Sequence, residues 1–149
     1  TRQNLDAVNG ADYKFQFGRG VELKKGKDAY IFATGGLVAN SLKAAQSLEK
    51  EGLNIGVINI HTIKPMDAEL VARIAKSVKY VFTAEDHNTI GGLGGAVAEA
   101  MADSGATAKL TRLGVHDTYG ESGTPESLYE KHGLNPTGLA RSMKSVLNS

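Results

Sequence analysis

The chain has 149 residues, of which 41% are hydrophobic, and this is the size and composition of a single globular domain. Its 17 basic and 16 acidic side chains give a formal net charge of +1, which argues against binding to nucleic acid or to a membrane surface. The absence of cysteine excludes disulfides and thiolate metal sites, and the apolar runs are too short to span a bilayer, so we expect a cytoplasmic protein.

The first residue is Thr1, where a newly initiated chain has methionine, so we expect processing or excision from a longer polypeptide.

The first predicted element is a strand at Val21 to Lys24. A short turn at Lys25 to Asp28 joins it to the next strand, which favours antiparallel pairing. The lysines around this turn are interpreted as solvated side chains.

Four further apolar clusters are short, rich in β-branched residues and bounded by turn residues, which is typical of buried strands. They are Ala29 to Thr34, Ile55 to Ile60, Tyr80 to Thr83 and Lys109 to Val115. Helical patterns separate them, so the strands are predicted to be parallel and joined by right-handed crossovers. The predicted fold is a three-layer α/β/α sandwich with a mostly parallel five-stranded sheet whose first strand is antiparallel.

Five helices are predicted from apolar periodicity and from capping residues. The first carries a stripe from Val38 to Leu48 and stops at Gly52, the second begins at the capping residue Asp67, and the third follows the glycine run 91–95 and continues to Ala102. Two shorter helices close the chain. Thr124 then Pro125, and Asn135 then Pro136, each supply a capping residue followed by proline at the first helical position.

The glycine run from Gly91 to Gly95 lies between a strand and a helix, where backbone amides can hold a phosphate. Its spacing matches neither the nucleoside-triphosphate loop nor the Rossmann pattern. We interpret the run as a place of close packing between helix and sheet, and phosphate binding stays open as the alternative.

Glu85, Asp86 and His87 follow a predicted strand and are the best candidates for acid and base chemistry, because strand carboxyl ends border the crevice in such sheets. The favoured interpretation is structural: Asp86 or His87 accepts hydrogen bonds from backbone amides of the glycine-rich turn.

The other histidines, His61, His116 and His132, lie in separate segments, so no metal site is expected. The residues alone thus indicate an α/β domain without a complete catalytic set.

Four segments, taken in order along the chain, resemble the transketolase family. They are residues 1–5 (Thr-Arg-Gln-Asn-Leu), 61–67 (His-Thr-Ile-Lys-Pro-Met-Asp), 83–95 (Thr-Ala-Glu-Asp-His followed by the glycine run) and 118–126 (Thr-Tyr-Gly-Glu-Ser-Gly-Thr-Pro-Glu). Each is weak alone, but the combination is specific.

The resemblance implies that residues 13–149 are a transketolase C-terminal domain and that residues 1–12 are the end of a pyrimidine-binding domain or a linker. It implies an enzyme of pentose phosphate metabolism that transfers a two-carbon ketol unit between sugar phosphates. Thiamine diphosphate and magnesium would be held by the other domains across a homodimer interface. The partners would be the remaining transketolase domains or subunit, and this chain would be inactive alone, with a structural and dimer-supporting role.

One substrate contact is implied by the same resemblance. Arg2 corresponds to the arginine of the Arg-Gln-Asn segment in transketolases, which binds the phosphate of the sugar substrate, and a guanidinium suits that task because it presents a rigid fork of donors. Two alternatives remain from the sequence: a free-standing module that binds an anion near His87 and the glycine run, and a C-terminal docking domain of a 2-oxo-acid dehydrogenase β chain.

Overall fold

The computed structural model describes residues 6–149. Within this range the sheet has five strands, at Val21–Lys24 (β1), Ala29–Ala33 (β2), Ile55–Asn59 (β3), Tyr80–Asn88 (β4) and Lys109–Val115 (β5). The helices are Leu37–Glu49 (α1), Ala68–Ser77 (α2), Leu93–Ser104 (α3), Pro125–Lys131 (α4) and Pro136–Leu147 (α5).

The strand order is β1-β3-β2-β4-β5, with β1 antiparallel to β3 and the other neighbours parallel. Helices α1 and α5 pack together on one face of the sheet, and α2 and α3 pack together on the other. The predicted three-layer sandwich, including its antiparallel first strand, is therefore confirmed.

The central strand β2 shows how one apolar run serves two cores. Successive side chains of a strand point to opposite faces, so Ala29, Ile31 and Ala33 join the core beneath α1 and α5. Tyr30 and Phe32 join the core beneath α2 and α3. A strand buried on both faces gives an unbroken apolar run instead of an alternating one.

The predicted helix starts are present as side-chain caps. Asp67 accepts a hydrogen bond from the N–H of Leu70 at 3.1 Å, and Asn135 accepts one from the N–H of Gly138 at 2.7 Å. Thr124 accepts a longer one, 3.3 Å, from the N–H of Ser127. Gly52 has a φ of 86°, the left-handed conformation predicted for it after the first helix.

The boundaries of β4 and α3 differ most from the sequence predictions. Strand β4 runs to Asn88 instead of ending at Thr83, because Asn88 still pairs with Val115 after a shift of register beyond Ala84. Helix α3 begins at Leu93, inside the glycine run. Among residues 6–149, none of the helices has the length and apolar character needed to cross a bilayer.

The chain order creates a switch point between β2 and β4. Strand β3 follows β2 on one side, whereas β4 lies on the other side of β2. Crevices for ligands form at such points, outside the carboxyl ends of the strands. We call this end of the sheet the carboxyl edge; it comprises loops 34–36, 60–67, 89–92 and 116–124 and the segment 6–20, which leads into antiparallel β1. The opposite end is called the amino edge.

Candidate functional site

Glu85 lies at the carboxyl edge, near the end of β4, and its side chain is buried with 1% exposure. Oε2 accepts a hydrogen bond from the N–H of Leu93 at 2.7 Å, and Oε1 accepts one from the N–H of Gly94 at 2.8 Å. These amides belong to the first turn of α3, whose N-terminus attracts negative charge. Glu85 therefore caps α3 from a neighbouring strand.

The glycine before α3 makes this contact possible. A Cβ at Gly92 would lie 1.9 Å from Oε2 of Glu85, closer than any real contact. A Cβ at Gly114 in β5 would also be crowded, at 2.9 Å from the carbonyl oxygen of His87 and 3.2 Å from Cγ of Glu85. Glycine at these positions thus leaves room for the buried side chain.

The capping role predicted for Asp86 or His87 belongs to Glu85, so that assignment was wrong by one or two residues. Asp86 and His87 are exposed, and Nδ1 of His87 lies 3.0 Å from the carbonyl oxygen of Asn88.

The alternative of a phosphate in the glycine run meets a physical obstacle, because the amides of Leu93 and Gly94 already donate hydrogen bonds to Glu85. Close packing is the role of Gly92 and Gly94, whereas a Cβ at Gly91 or Gly95 would meet nothing within 4 Å.

Asp86 faces a different part of the carboxyl edge, where it accepts a hydrogen bond of 3.1 Å from the hydroxyl of Tyr129 in α4. Burial, followed by the neighbouring charge of Asp86, raises the pKa of Tyr129 to about 12. Both residues line a cavity of about 340 Å³ together with Tyr119, Glu121 and His132. Sequence reasoning missed Tyr129, since nothing in its local pattern distinguishes it from an ordinary helix residue.

Asp67 connects three parts of the fold at the same edge. Besides capping α2, its Oδ2 accepts a hydrogen bond of 3.0 Å from the N–H of Gly20, and Oδ1 lies 3.5 Å from the guanidinium of Arg19. Arg19 also donates to Glu69 at 3.2 Å. The segment before β1 is therefore anchored to the start of α2.

His61 follows β3 and lies beside two aromatic rings from the segment 6–20. Its ring centroid lies 4.6 Å from that of Phe15 and 6.5 Å from that of Tyr13. Nδ1 lies 2.8 Å from the hydroxyl of Thr62, whereas the buried Nε2 has no hydrogen-bond partner among the described residues. Phe15 was not singled out from the sequence, because no periodic pattern marks this extended segment.

Across residues 6–149, no group of three His, Asp or Glu side chains is arranged to hold a metal ion. His61, His116 and His132 lie in three separate loops, after β3, β5 and α4. Arg2, the residue expected to bind substrate phosphate, lies outside the described residues.

Comparison with known proteins gives a consistent result. The family model described as "Transketolase, C-terminal domain" matches residues 18–139. A protein of Methanocaldococcus jannaschii, named as a transketolase C-terminal section, is 41% identical over 133 residues, covering 89% of this chain and 41% of that protein. The 6-deoxy-6-sulfo-D-fructose transketolase subunit SqwH of Clostridium sp. is 39% identical over 139 residues, covering 93% of this chain and 43% of that subunit.

Solved structures agree with the sequence relatives. A structure described as a split gene transketolase, inactive beta4 tetramer, superposes with a TM-score of 0.91 at 39% identity and covers 99% of this chain and 48% of that one. The transketolase of Campylobacter jejuni shares the fold, with a TM-score of 0.68 at 22% identity over 96% of this chain and 21% of its own. The chain thus spans less than half the length of the relatives that it matches.

Proposed function

This chain belongs to the transketolase C-terminal domain family, and from that premise we propose that it is the C-terminal part of a transketolase that moves a two-carbon ketol unit between sugar phosphates. The observation that carries the proposal is the high structural similarity to the split gene transketolase subunit, at a TM-score of 0.91 and 39% identity. The opening residues 1–5 add a motif suited to a sugar phosphate.

The chemistry would be supplied by thiamine diphosphate and magnesium bound in other parts of the enzyme, since the cofactor stabilises the carbanion formed in such transfers. The described residues do not fit these groups. A diphosphate needs free backbone amides, and those of Leu93 and Gly94 are taken by Glu85. For a metal ion, no group of three or more His, Asp or Glu side chains within residues 6–149 is arranged as a binding site. We therefore derive no catalytic step within this domain.

The role left to the domain is structural: it supports assembly and brings one substrate contact. Arg2 would bind the phosphate of the sugar, and residues 1–12 would be the end of the preceding pyrimidine-binding domain or a linker. In the assembled enzyme we expect a dimer, with the remaining domains or subunit as partners. One relative is described as a split gene transketolase, inactive beta4 tetramer, and this description supports the expectations of self-association and of inactivity for this chain.

A second candidate is favoured by one observation. The 1-deoxy-D-xylulose-5-phosphate synthase of Syntrophotalea carbinolica is 36% identical over 131 residues, covering 88% of this chain and 21% of that enzyme. A domain similar to this chain therefore occurs in a synthase as well as in transketolases. The anion-binding module has no comparable support, because its proposed amides are occupied by Glu85.

A donor comparison with the complete enzyme separates these functions. With thiamine diphosphate, magnesium and an aldose phosphate acceptor, a transketolase consumes a ketose phosphate donor and releases a shortened aldose phosphate. A synthase or a 2-oxo-acid dehydrogenase instead consumes a 2-oxo acid and releases carbon dioxide. Product analysis that finds carbon dioxide and no shortened aldose phosphate would reject the transketolase assignment.

A further inference from the structure

A cavity of about 570 Å³, which we call the amino-edge cavity, lies at the opposite end of the sheet from Glu85. Four parts of the chain meet there: the turn before β2, the loop before β3, the segment from the end of α2 to the start of β4, and the end of α5. Binding sites for small molecules have volumes of about 300–1,000 Å³. The amino-edge cavity is therefore large enough for an organic ligand.

The lining of this cavity is positively charged. It includes Lys27, Lys76 and Lys79, and its carboxylate, Asp28, accepts a hydrogen bond of 2.6 Å from the N–H of Asn54. Within the part of the chain that the structure describes, the three lysines take part in none of the ion pairs. Three lysines and one aspartate give the lining a formal charge of +2, whereas the whole chain has +1.

The register of the sheet brings two of these lysines together from distant parts of the chain. Ala29 of β2 pairs with Tyr80 of β4, and Lys27 and Lys79 come just before these two parallel strands. The helix dipole favours a lysine in the last turn of α2, but strands have little dipole that could favour the other two. Like charges held close together repel each other, and an anion bound among them would remove that repulsion.

The rest of the lining is mostly apolar. Leu53, Val78, Tyr80 and Leu147 are half-buried there, and all but Val78 pack against the core beneath α1 and α5. Lysine ammonium groups, with three donors each, suit the oxygens of a phosphate. An apolar group placed against the leucines would leave water, which is favourable. The two halves of the lining thus complement the two halves of a phosphate ester.

We propose that the amino-edge cavity binds a phosphate ester whose organic part is apolar or aromatic. Lys27, Lys76 and Lys79 hold the phosphate, and Leu53 and Leu147 contact the organic part. Because the cavity lies at the end of the sheet away from Glu85 and the carboxyl edge, binding here does not depend on the proposed ketol transfer. An acidic segment of another protein is the competing occupant.

Titration of the isotope-labelled chain with phenyl phosphate, followed by NMR, tests the proposal. The amide signals of residues 26–28, 53–54 and 76–80 should shift and saturate, with a Kd of about 1 mM or lower at low ionic strength. Added salt should weaken this binding, because exposed charges are screened. Inorganic phosphate lacks the apolar part and should bind about fivefold more weakly, or weaker still, since it leaves the apolar lining in water.

A matched set of variants locates the site. Lys27→Gln and Lys79→Gln each remove one charge from the cavity, and Lys14→Gln removes one from the segment 6–20. Each cavity variant should raise the Kd for phenyl phosphate about two- to fivefold, the range for an exposed ion pair, whereas Lys14→Gln should leave it unchanged. All three lysines are exposed, so the melting temperatures should agree with that of the wild type within a few degrees.

Shifts confined to other parts of the chain, or shifts that grow without saturation, would overturn the proposal. Equal weakening by Lys14→Gln would do the same, because it would indicate attraction to net charge alone. Equal affinities for phenyl phosphate and inorganic phosphate would reject a phosphate ester as the ligand. If a hexaglutamate peptide shifted the same residues and bound more tightly than phenyl phosphate, the cavity would belong to an acidic protein segment, which would also overturn the proposal.

Discussion

The carboxylate of Glu85 and the N–H of Gly94 are joined by a hydrogen bond of 2.8 Å that connects the end of β4 to the first turn of α3. A second bond, from Leu93 to the other oxygen, completes a two-pronged cap. Glu85, one of the three residues that the sequence offered for acid and base chemistry, therefore has a structural role.

Replacing Glu85 tests this structural role. Glu85→Ala should lower the free energy of unfolding by about 2–4 kcal/mol, because two buried amides lose their acceptors. Glu85→Gln keeps one carbonyl acceptor and should lower the free energy of unfolding clearly less. For a domain of this size the alanine variant should melt about 5–15 °C lower, and urea denaturation gives the free energy directly.

His87→Ala is the matched control, since this exposed neighbour makes only a local contact and should change the stability by less than about 0.5 kcal/mol. A loss for His87→Ala as large as that for Glu85→Ala would contradict the assignment of the cap to Glu85.

The glycine run offers a paired test by alanine substitution. Gly92→Ala should be destabilising by about 2 kcal/mol or more, because its Cβ would displace the Glu85 carboxylate, 1.9 Å away, from its two bonds. Gly95→Ala, whose Cβ meets nothing within 4 Å, should stabilise the protein by about 0.5 kcal/mol through helix propensity. Equal effects of the two changes in thermal denaturation would refute this explanation of the run.

The pH dependence of stability should reveal the raised pKa of Tyr129. Its pKa is raised from 10.0 to about 12 by burial and by Asp86, so the folded state holds the phenolic proton more tightly than the unfolded state does. This contribution to stability is complete below about pH 10 and is lost as the pH rises towards 12.

Urea unfolding between pH 8 and 11.5 should therefore show a steeper loss of stability in the wild type than in Tyr129→Phe. Tyr119→Phe, at a residue that is 97% exposed, serves as the control and should follow the wild type. If the stability of the wild type and that of Tyr129→Phe fell in parallel with pH, the pKa of Tyr129 would not be raised in the folded state.

Arg2→Ala tests the proposed substrate contact in the complete enzyme. Losing a charge-assisted pair with phosphate, which contributes on the order of 2 kcal/mol, should reduce kcat/KM for sugar phosphates about tenfold or more. The kcat/KM for an unphosphorylated donor such as hydroxypyruvate should fall much less. The thermal stability of the chain alone should hardly change. Equal losses for both donors would remove the phosphate-binding role.

The sequence was sufficient for most of the fold because its signals are local. Asp67, Thr124 and Asn135 cap the helices that they were predicted to start, and the apolar runs became β2 and β3. The extension of β4 to Asn88 was missed, since its last residues are polar and are held by pairing with β5, a contact that no local pattern reveals.

The candidate site was harder to predict, because it depends on contacts between distant segments. Choosing between Glu85 and its two neighbours required knowing that Gly92 leaves space for one particular carboxylate. The meeting of Lys27 and Lys79 at one cavity depends on the pairing of β2 with β4. Such proximity follows from topology and not from the spacing of residues along the chain.

Recombination of activity tests the central claim most directly. Ketol transfer is measured with thiamine diphosphate, magnesium and sugar phosphates for the chain alone, for the cofactor-binding part of the enzyme alone, and for the two together. The proposed function predicts no turnover above the protein-free control for the chain alone and ketol transfer when both parts are present. Turnover by the chain alone, or full activity of the cofactor-binding part without it, would contradict the claim that this domain is a required but non-catalytic part of a transketolase.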